Sequence, residues 1–171
     1  LDNYFQTRRE HPLLGHASLH ASLIEGGTGL STYPPKCTVQ IERRSLPGET
    51  LETIRDEIVA ILDDLHAADP QFRAEFEISL FQPGLETPLD DPLVMTLSQA
   101  MQQRLNNSDE PPTPAGVSFW MDSALLAQAG IPTVIFGPTG AGAHADVEWV
   151  ELSSISACID VLMATARAFC G

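Results

Sequence analysis

The residue of this sequence best placed to do chemistry is His144, which ends a glycine-rich stretch. Residues 137–144 read GPTGAGAH and follow directly on an apolar run at residues 131–136. An imidazole held at such a point can bind Zn²⁺ or act as a base near neutral pH. A single histidine on a loop is, however, more often structural or simply exposed to solvent. On the residues alone, both interpretations of His144 stay open.

The glycine-rich loop could instead bind a nucleotide. A phosphate-binding loop carries a Lys-Ser/Thr pair that opens a helix directly after the glycines. Here His144 and Ala145 stand in that position, and no lysine lies nearby. Glu148, four residues after His144, is poorly spaced as a second metal ligand and better suited to favour the start of the last helix. The sequence therefore argues against a nucleotide site.

Two adjacent arginines, Arg43 and Arg44, stand at the end of a predicted strand just before Pro47 and Gly48. They are notable because the whole chain holds only nine Lys and Arg residues. An arginine can grip a carboxylate through two parallel hydrogen bonds, which suits it to an acidic substrate. An internal salt bridge explains the same spacing equally well.

Two further histidines, His16 and His20, share one face of the first predicted strand. An exposed strand face explains this pair better than a metal site does.

The acidic composition limits the classes of partner. The 171 residues carry a formal net charge of −14, which argues against nucleic acid and anionic membrane surfaces because both need clustered Lys and Arg. Three cysteines without metal-ligand spacing fit a reducing, cytoplasmic setting. No apolar run approaches the roughly 18 residues of a membrane span, and no signal peptide is visible. Because the chain starts on Leu1, we expect a fragment of a longer protein.

The first half of the chain predicts a small antiparallel sheet covered by helices on one face. Apolar and polar residues alternate in three stretches, from Ala17 to Leu23, from Cys37 to Glu42 and from Phe72 to Leu80. Between the second and third, apolar residues recur at helical spacing over residues 49–66.

The second half predicts alternating strands and helices after a proline-rich linker at residues 82–92. We expect strands at 116–120 and 131–136, the latter buried on both faces as parallel strands are. We expect helices over 93–105, 122–129 (capped by Asp122) and 153–169, the last burying Ile155, Ile159, Leu162, Ala166 and Phe169. The predicted class is α/β with α+β, divided into residues 1–85 and 86–171.

Four stretches in this order resemble one family of enzymes. They are GGTGLSTYP (26–34), ERRSLPGET (42–50), MDSALLAQAGIPTVIFGP (121–138) and AHADVEWV (143–150). Together they are similar to the zinc-dependent amidohydrolases and exopeptidases that include acetylornithine deacetylase, succinyl-diaminopimelate desuccinylase, aminoacylase and carboxypeptidase G. The resemblance covers the chain from about residue 10 to its end, and four linked motifs are more specific than any one of them.

The resemblance implies a two-domain enzyme that cleaves an amide bond in an N-acyl amino acid or small peptide. An α/β zinc-binding domain would be interrupted by a ferredoxin-like lid that often forms the homodimer. Residues 1–85 would then be part of the lid, and residues 86–171 the C-terminal βαβα segment of the catalytic domain. The cofactor would be zinc, two ions per active site, with cobalt or manganese as alternatives.

The resemblance also assigns residues. The last zinc-ligand histidine of the family falls on His144, and the arginine that holds the substrate carboxylate falls on Arg44. The asparagine of the family falls on Ser31, which can donate one hydrogen bond but offers no amide. Gly140 and Gly142 would approach the substrate through backbone N–H groups.

The resemblance places the remaining zinc ligands, the general-base glutamate and a lid histidine before the start of this chain. We therefore expect the isolated chain to be inactive and to bind zinc weakly. A competing hypothesis is a stand-alone lid-like module for dimerisation or assembly, since exposed sheet edges pair readily.

Overall fold

The computed structural model describes Phe5, residues 7–106 and residues 112–171. Residues 107–111 lie outside the described residues. The chain forms two compact units, one of Leu1–Gly84 with Gly116–Trp120 and one of Leu85–Ala115 with Met121–Gly171. Mixed helices and small antiparallel sheets agree with the predicted α/β class in its coarse form.

The first unit is built around a long antiparallel hairpin. Strand β3 (Ser18–Gly26) pairs with β4 (Cys37–Arg44), so that Ser18 faces Arg44 at one end and Gly26 faces Cys37 at the other. The register shifts between Ala21 and Leu23, which leaves one extra residue in β3. A shorter pair, β1 (Glu10–His11) and β2 (Gly15–His16), precedes the hairpin. The alternation of apolar and polar residues correctly predicted both long strands.

Helix α1 (Leu51–Ala68) follows the hairpin and matches the predicted helix over residues 49–66. Its start is set by a capping box. The side chain of Thr50 accepts a hydrogen bond from the Thr53 N–H at 3.2 Å, and the Thr50 N–H donates to Thr53 Oγ1 at 2.9 Å. Ile54 on the first turn is buried, which anchors the helix in the unit.

Replacing Thr50 with alanine is expected to lower the free energy of unfolding by about 1 kcal/mol, because the Thr53 N–H at the start of α1 loses the side-chain oxygen that accepts its hydrogen bond. Thr50→Ser, which keeps the hydroxyl, is the matched control. Urea denaturation of both variants would check the prediction. Equal stability of the two would mean that the hydroxyl contributes nothing to the cap.

The prediction of a third strand, from Phe72 to Leu80, is wrong. Residues 73–87 have no regular secondary structure and join no ladder among the described residues. Alternation shows that a segment has two unlike faces, but a strand also needs a neighbouring edge that accepts its backbone hydrogen bonds. The antiparallel sheet in the described part of this unit therefore has two long strands, and the ferredoxin-like arrangement remains unconfirmed.

The second unit is held by two helices that share a core. Helix α2 (Pro92–Met101) begins at Asp91, whose side chain accepts the Leu93 N–H at 2.8 Å, and a π-helical turn, Gln102–Asn106, extends it. A short helix, α3 (Ser123–Gln128), and the long C-terminal helix, α4 (Leu152–Cys170), follow. Between α2 and α4 lies a small core that comprises Leu97, Ala100 and Val161, with Met101, Val134, Phe136 and Ala164 packed against it.

The two predicted strands at 116–120, now in the first unit, and at 131–136, in the second, do not form. In the described part of the second unit, the β-pairing is one short antiparallel pair, β5 (Gly140–Ala141) with β6 (Trp149–Val150). Val134 and Phe136 pack on the core, whereas Ile131 and Ile135 are 51% and 45% exposed. A buried parallel strand needs partners on both edges and helices on both faces, and the described residues do not supply them.

The expected face of the last helix is also wrong. Helix α4 buries Cys158, Val161 and Thr165, while Ile159 and Leu162 are about half exposed. The cause is that apolar and small residues occur almost all round this helix, so its periodicity does not select one face.

The cap predicted for α3 differs as well. Asp122 stands before α3 with helical backbone angles and makes no side-chain capping bond, whereas α4 begins within one residue of the predicted start at 153.

Helix α4 is long and apolar enough, by length and composition only, to cross a membrane, which is weak evidence. The sequence shows no unbroken apolar run of that length. Serines, a threonine, an aspartate and an arginine instead interrupt its apolar residues, and 17% of the tested window is buried.

Candidate functional site

His144 lies in the loop of the β5–β6 hairpin. Gly140 pairs with Val150 and Ala141 with Trp149, so residues 142–148 form the connection and carry His144 with an exposed side chain. The Ala145 N–H donates to the Gly142 carbonyl oxygen at 2.8 Å, which closes a turn around His144. The predicted glycine-rich loop is therefore one arm of a tight hairpin that presents the imidazole at its tip.

The backbone of His144 is strained. Its φ is 65°, and among the described residues it is the one non-glycine residue in the left-handed region. Histidine enters this region more readily than most residues, but the conformation still costs on the order of 1 kcal/mol. Strain of this kind is found preferentially at functional sites, so it favours a functional interpretation of His144 over a merely exposed one.

Two glycines make the hairpin possible. Gly142 has a φ of +79°, and a Cβ added there would collide with the Val147 carbonyl oxygen. A Cβ on Gly140 would collide with the carbonyl oxygen of Trp149 across the strand pair. Both glycines thus allow the two strands to approach closely, and their predicted contact with a substrate stays a prediction.

The base of the hairpin is tied to the start of α4. The Glu151 N–H donates to the Thr139 carbonyl at 2.9 Å, and the Thr139 N–H donates to Ser154 Oγ at 3.0 Å. Ser154 Oγ in turn donates to the Glu151 carbonyl at 2.6 Å. These bonds fix the β5–β6 hairpin on the longest helix of its unit, and so they hold the loop that carries His144.

Arg44 lies at the last position of β4, and its side chain is 45% exposed. Its Nε donates to Glu42 Oε1 at 3.2 Å and its Nη1 to the Ser118 carbonyl at 3.2 Å. A guanidinium has five N–H donors, so donors remain that these two acceptors do not use. Arg44 can therefore bind a further carboxylate without giving up its present partners.

Arg43 makes a different set of contacts. Its Nη2 lies 2.5 Å from Glu49 Oε1, and its Nη1 pairs with Glu57 on α1. Burial by itself lowers the pKa of Arg43, but the hydrogen bonds and charges of Glu57 and Glu49 outweigh burial and raise it. Both arginines therefore form internal salt bridges, Arg43 with the shielded Glu49 and Glu57 and Arg44 with the exposed Glu42. The carboxylate-binding role of Arg44 stays a prediction.

Ser31 is exposed in the connection between β3 and β4, at the end of the hairpin away from Arg44. Seven strand steps separate Cys37 from Arg44, which corresponds to about 23 Å at the usual rise per residue. The first unit therefore does not bring Ser31 and Arg44 together. Gly140, Gly142 and His144, by contrast, lie within one loop of the second unit.

Sequence reasoning missed two partners of Arg43, Glu49 and Glu57. Glu49 lies in the turn before α1 and Glu57 on the second turn of the helix, so no single periodicity joins them. The available signal was an arginine pair followed by acidic residues within 14 positions. Finding the bond to Arg43 also required the direction of the turn at Pro47 and Gly48.

The described residues supply part of a metal site at most. Within the described ranges, no group of three or more His, Cys, Asp or Glu residues stands close enough to hold an ion. A catalytic zinc ion needs about three protein ligands and a water. The exposed imidazole of His144 fits one of those positions and leaves the others to be filled from elsewhere.

Comparisons with known proteins agree with the predicted resemblance. The family model of peptidase family M20/M25/M40 matches residues 11–168. The acetylornithine deacetylase of Myxococcus xanthus is 26% identical over 155 residues, which cover 90% of this chain and 38% of that protein. The succinyl-diaminopimelate desuccinylase of Hydrogenovibrio crunogenus is 28% identical over 139 residues, which cover 81% of this chain and 35% of that protein.

A third relative, the acetylornithine deacetylase of Buchnera aphidicola subsp. Acyrthosiphon pisum, is 25% identical over 176 residues, which cover 99% of this chain and 43% of that protein. The chain thus spans about two fifths of the length of the curated relatives it matches. The match runs through both compact units rather than stopping at the first.

Proposed function

Because the chain belongs to peptidase family M20/M25/M40, we propose that it is part of a metal-dependent hydrolase that cleaves the amide bond of an N-acyl amino acid or small peptide. The observation that carries this proposal is the family match across residues 11–168, which includes both the Arg44 strand and the His144 loop. The names of the relatives describe the removal of an acetyl or a succinyl group. A stand-alone assembly module is not favoured, since the match extends well beyond the first unit.

His144 would be one metal ligand. Its exposed position at a hairpin tip and its strained backbone suit a group that must reach an ion shared with other residues. The remaining ligands and the general base would come from outside these 171 residues, so the chain alone would be inactive. The metal, zinc with two ions per site or alternatively cobalt or manganese, would supply Lewis-acid chemistry for hydrolysis.

Arg44 would hold the carboxylate of the substrate. A bidentate pair with a guanidinium fixes both the position and the orientation of a carboxylate, and Arg44 keeps N–H donors for it. Ser31 would donate one hydrogen bond, and the backbone of Gly140 and Gly142 would lie beside the substrate. The two glycines also have a structural reason, since each lets the paired strands approach closely.

The architecture follows from the same proposal. The β3–β4 hairpin and α1 would form part of a ferredoxin-like lid within residues 1–85, and residues 86–171 would complete an α/β catalytic domain. The open edges of the two-stranded hairpin can pair with a second copy, which supports a homodimer through the lid. A cytoplasmic setting fits the acidic surface and the three free cysteines.

Two measurements on the intact enzyme that contains this chain test the function. Removal of the metal by a chelator should abolish hydrolysis of N-acetyl and N-succinyl amino acids, and addition of Zn²⁺ should restore it. Hydrolysis that is unaffected by chelation, or the absence of any hydrolysis of N-acyl amino acids, would contradict the proposal.

Arg44→Lys is expected to raise KM for carboxylate substrates about tenfold with little change in kcat, since lysine cannot form the bidentate pair. The KM for the methyl ester of the same substrate, which lacks the carboxylate, should stay unchanged. Arg55→Lys, on the solvent side of α1, is the matched control. An unchanged KM for the carboxylate substrate would remove Arg44 from the site.

A further inference from the structure

Residues on both sides of Arg44 donate hydrogen bonds to one carboxylate, that of Glu49. Glu49 Oε1 lies 2.5 Å from Arg43 Nη2, on the residue before Arg44, and Glu49 Oε2 accepts the Leu46 N–H at 2.6 Å, two residues after it. The end of β4 and the turn that follows are therefore closed around a single side chain. We call Arg43, Glu49 and Glu57 the arginine cluster.

The arginine cluster is shielded from solvent, unlike most ion pairs at the surface. The side chains of Arg43, Glu49 and Glu57 are 15%, 22% and 18% exposed. The guanidinium of Arg43 also stands 5.1 Å from the ring centre of Phe5, which is itself buried. Charges in such surroundings hold a fixed geometry, because a rearranged pair would leave a poorly solvated charge without a partner.

The cluster joins three elements that meet near Arg44. Arg43 belongs to β4, Glu49 to the turn, and Glu57 to the second turn of α1. The turn is held from its other side as well, since Arg9 Nη1 donates to the Pro47 carbonyl at 3.0 Å. Successive side chains of a strand point to opposite faces, so an Arg43 fixed toward α1 leaves Arg44 directed to the other face.

From this geometry we propose that Arg43 is a positioning residue for substrate binding. Through Glu49 and Glu57 it holds the backbone around Arg44, and so it sets where the Arg44 guanidinium meets the substrate carboxylate. The inference rests on the proposed role of Arg44. It adds a residue that never touches the substrate but determines how well the substrate carboxylate is held.

The test is a double-mutant cycle in the intact enzyme with Arg43→Lys and Arg44→Lys. Lysine keeps the charge of Arg43 but can no longer bridge both carboxylates in a fixed geometry. We expect Arg43→Lys to raise KM for carboxylate substrates about threefold to tenfold, with kcat and the KM of the methyl ester unchanged. In the Arg44→Lys background, Arg43→Lys should change KM by less than about twofold, since no guanidinium remains to be positioned.

A purely structural role of Arg43 predicts something different. It would lower the fraction of folded enzyme, and hence the apparent kcat, and it would act equally in both backgrounds. A lowered apparent kcat in place of a raised KM, or an equal effect in both backgrounds, would overturn the inference. Ile54→Val, which loosens the buried first turn of α1 without touching the cluster, is the control for lost stability and should leave KM unchanged.

A second variant keeps the proposal testable if Arg43→Lys does not fold. Glu49→Gln retains the size of the side chain and an acceptor for the Leu46 N–H but loses the charge that holds Arg43. It should raise the same KM in the same direction, and an unchanged KM would count against the inference. If Arg44→Lys alone leaves KM unchanged, the anchoring role itself fails. If only Arg44→Lys has an effect, the anchor stands and the positioning role of Arg43 is wrong.

Discussion

Loss of more than about 100-fold in kcat/KM is the expected result of replacing His144 with asparagine in the intact enzyme, because changes to groups that only support a metal ligand already cost 10- to 100-fold. Asparagine is chosen because it tolerates the left-handed backbone that His144 adopts, with a φ of 65°. The β5–β6 hairpin should therefore persist while the imidazole is lost. The metal content of the purified protein should fall together with the activity.

The control for this prediction is His66→Asn, in the last turn of α1, where the side chain is exposed. It should leave metal content and kcat/KM unchanged. Melting temperatures of both variants should stay close to that of the parent, which would show that the loss is chemical rather than structural. Full metal content in His144→Asn would exclude His144 as a ligand even if activity fell.

Elements defined by local signals were predictable from the sequence. Alternation identified β3 and β4, and helical spacing identified α1 and α2. Each of these depends on residues that are neighbours in the chain or on the facing arm of one hairpin. The capping box at Thr50 belongs to the same class, since all its hydrogen bonds lie within four residues.

Elements that depend on distant partners were not predictable. The segment from Phe72 to Leu80 has the alternation of a strand but no described neighbour to pair with, and the run at residues 131–136 is apolar but only partly covered. Periodicity reports how a segment would divide between two environments. It does not show whether another segment packs or pairs against this one.

The candidate site divides along the same line. The glycine-rich loop with its single histidine was visible in the sequence, but the positive φ of His144 was not, because histidine does not require it. Likewise, two adjacent arginines could not be told apart until Glu57, 14 residues after Arg43, was placed beside the first of them. Residue type suggested a chemistry, and only tertiary contacts showed the different surroundings of the two arginines.

The second large prediction concerns the stability cost of replacing Gly142. Two independent effects oppose any side chain at this position. Its φ of +79° disfavours an L-residue, and a Cβ would also collide with the Val147 carbonyl oxygen across the hairpin. Gly130 offers a matched comparison, since its φ is +78° but nothing lies within 4 Å of an added Cβ. The two positions differ in the close approach and hardly in the backbone angle.

We therefore expect Gly130→Ala to cost about 1 kcal/mol and Gly142→Ala to cost about 3 kcal/mol or more, since strain at positive φ is joined by overlap only in the second case. Gly142→Ala should also reduce the metal content of the intact enzyme, because a hairpin that opens between Gly142 and Val147 no longer fixes His144. Urea denaturation and metal analysis of the two variants provide the measurement. Equal costs would show that the strands do not approach as closely as described, and unchanged metal content would show that the hairpin is not what positions the ligand.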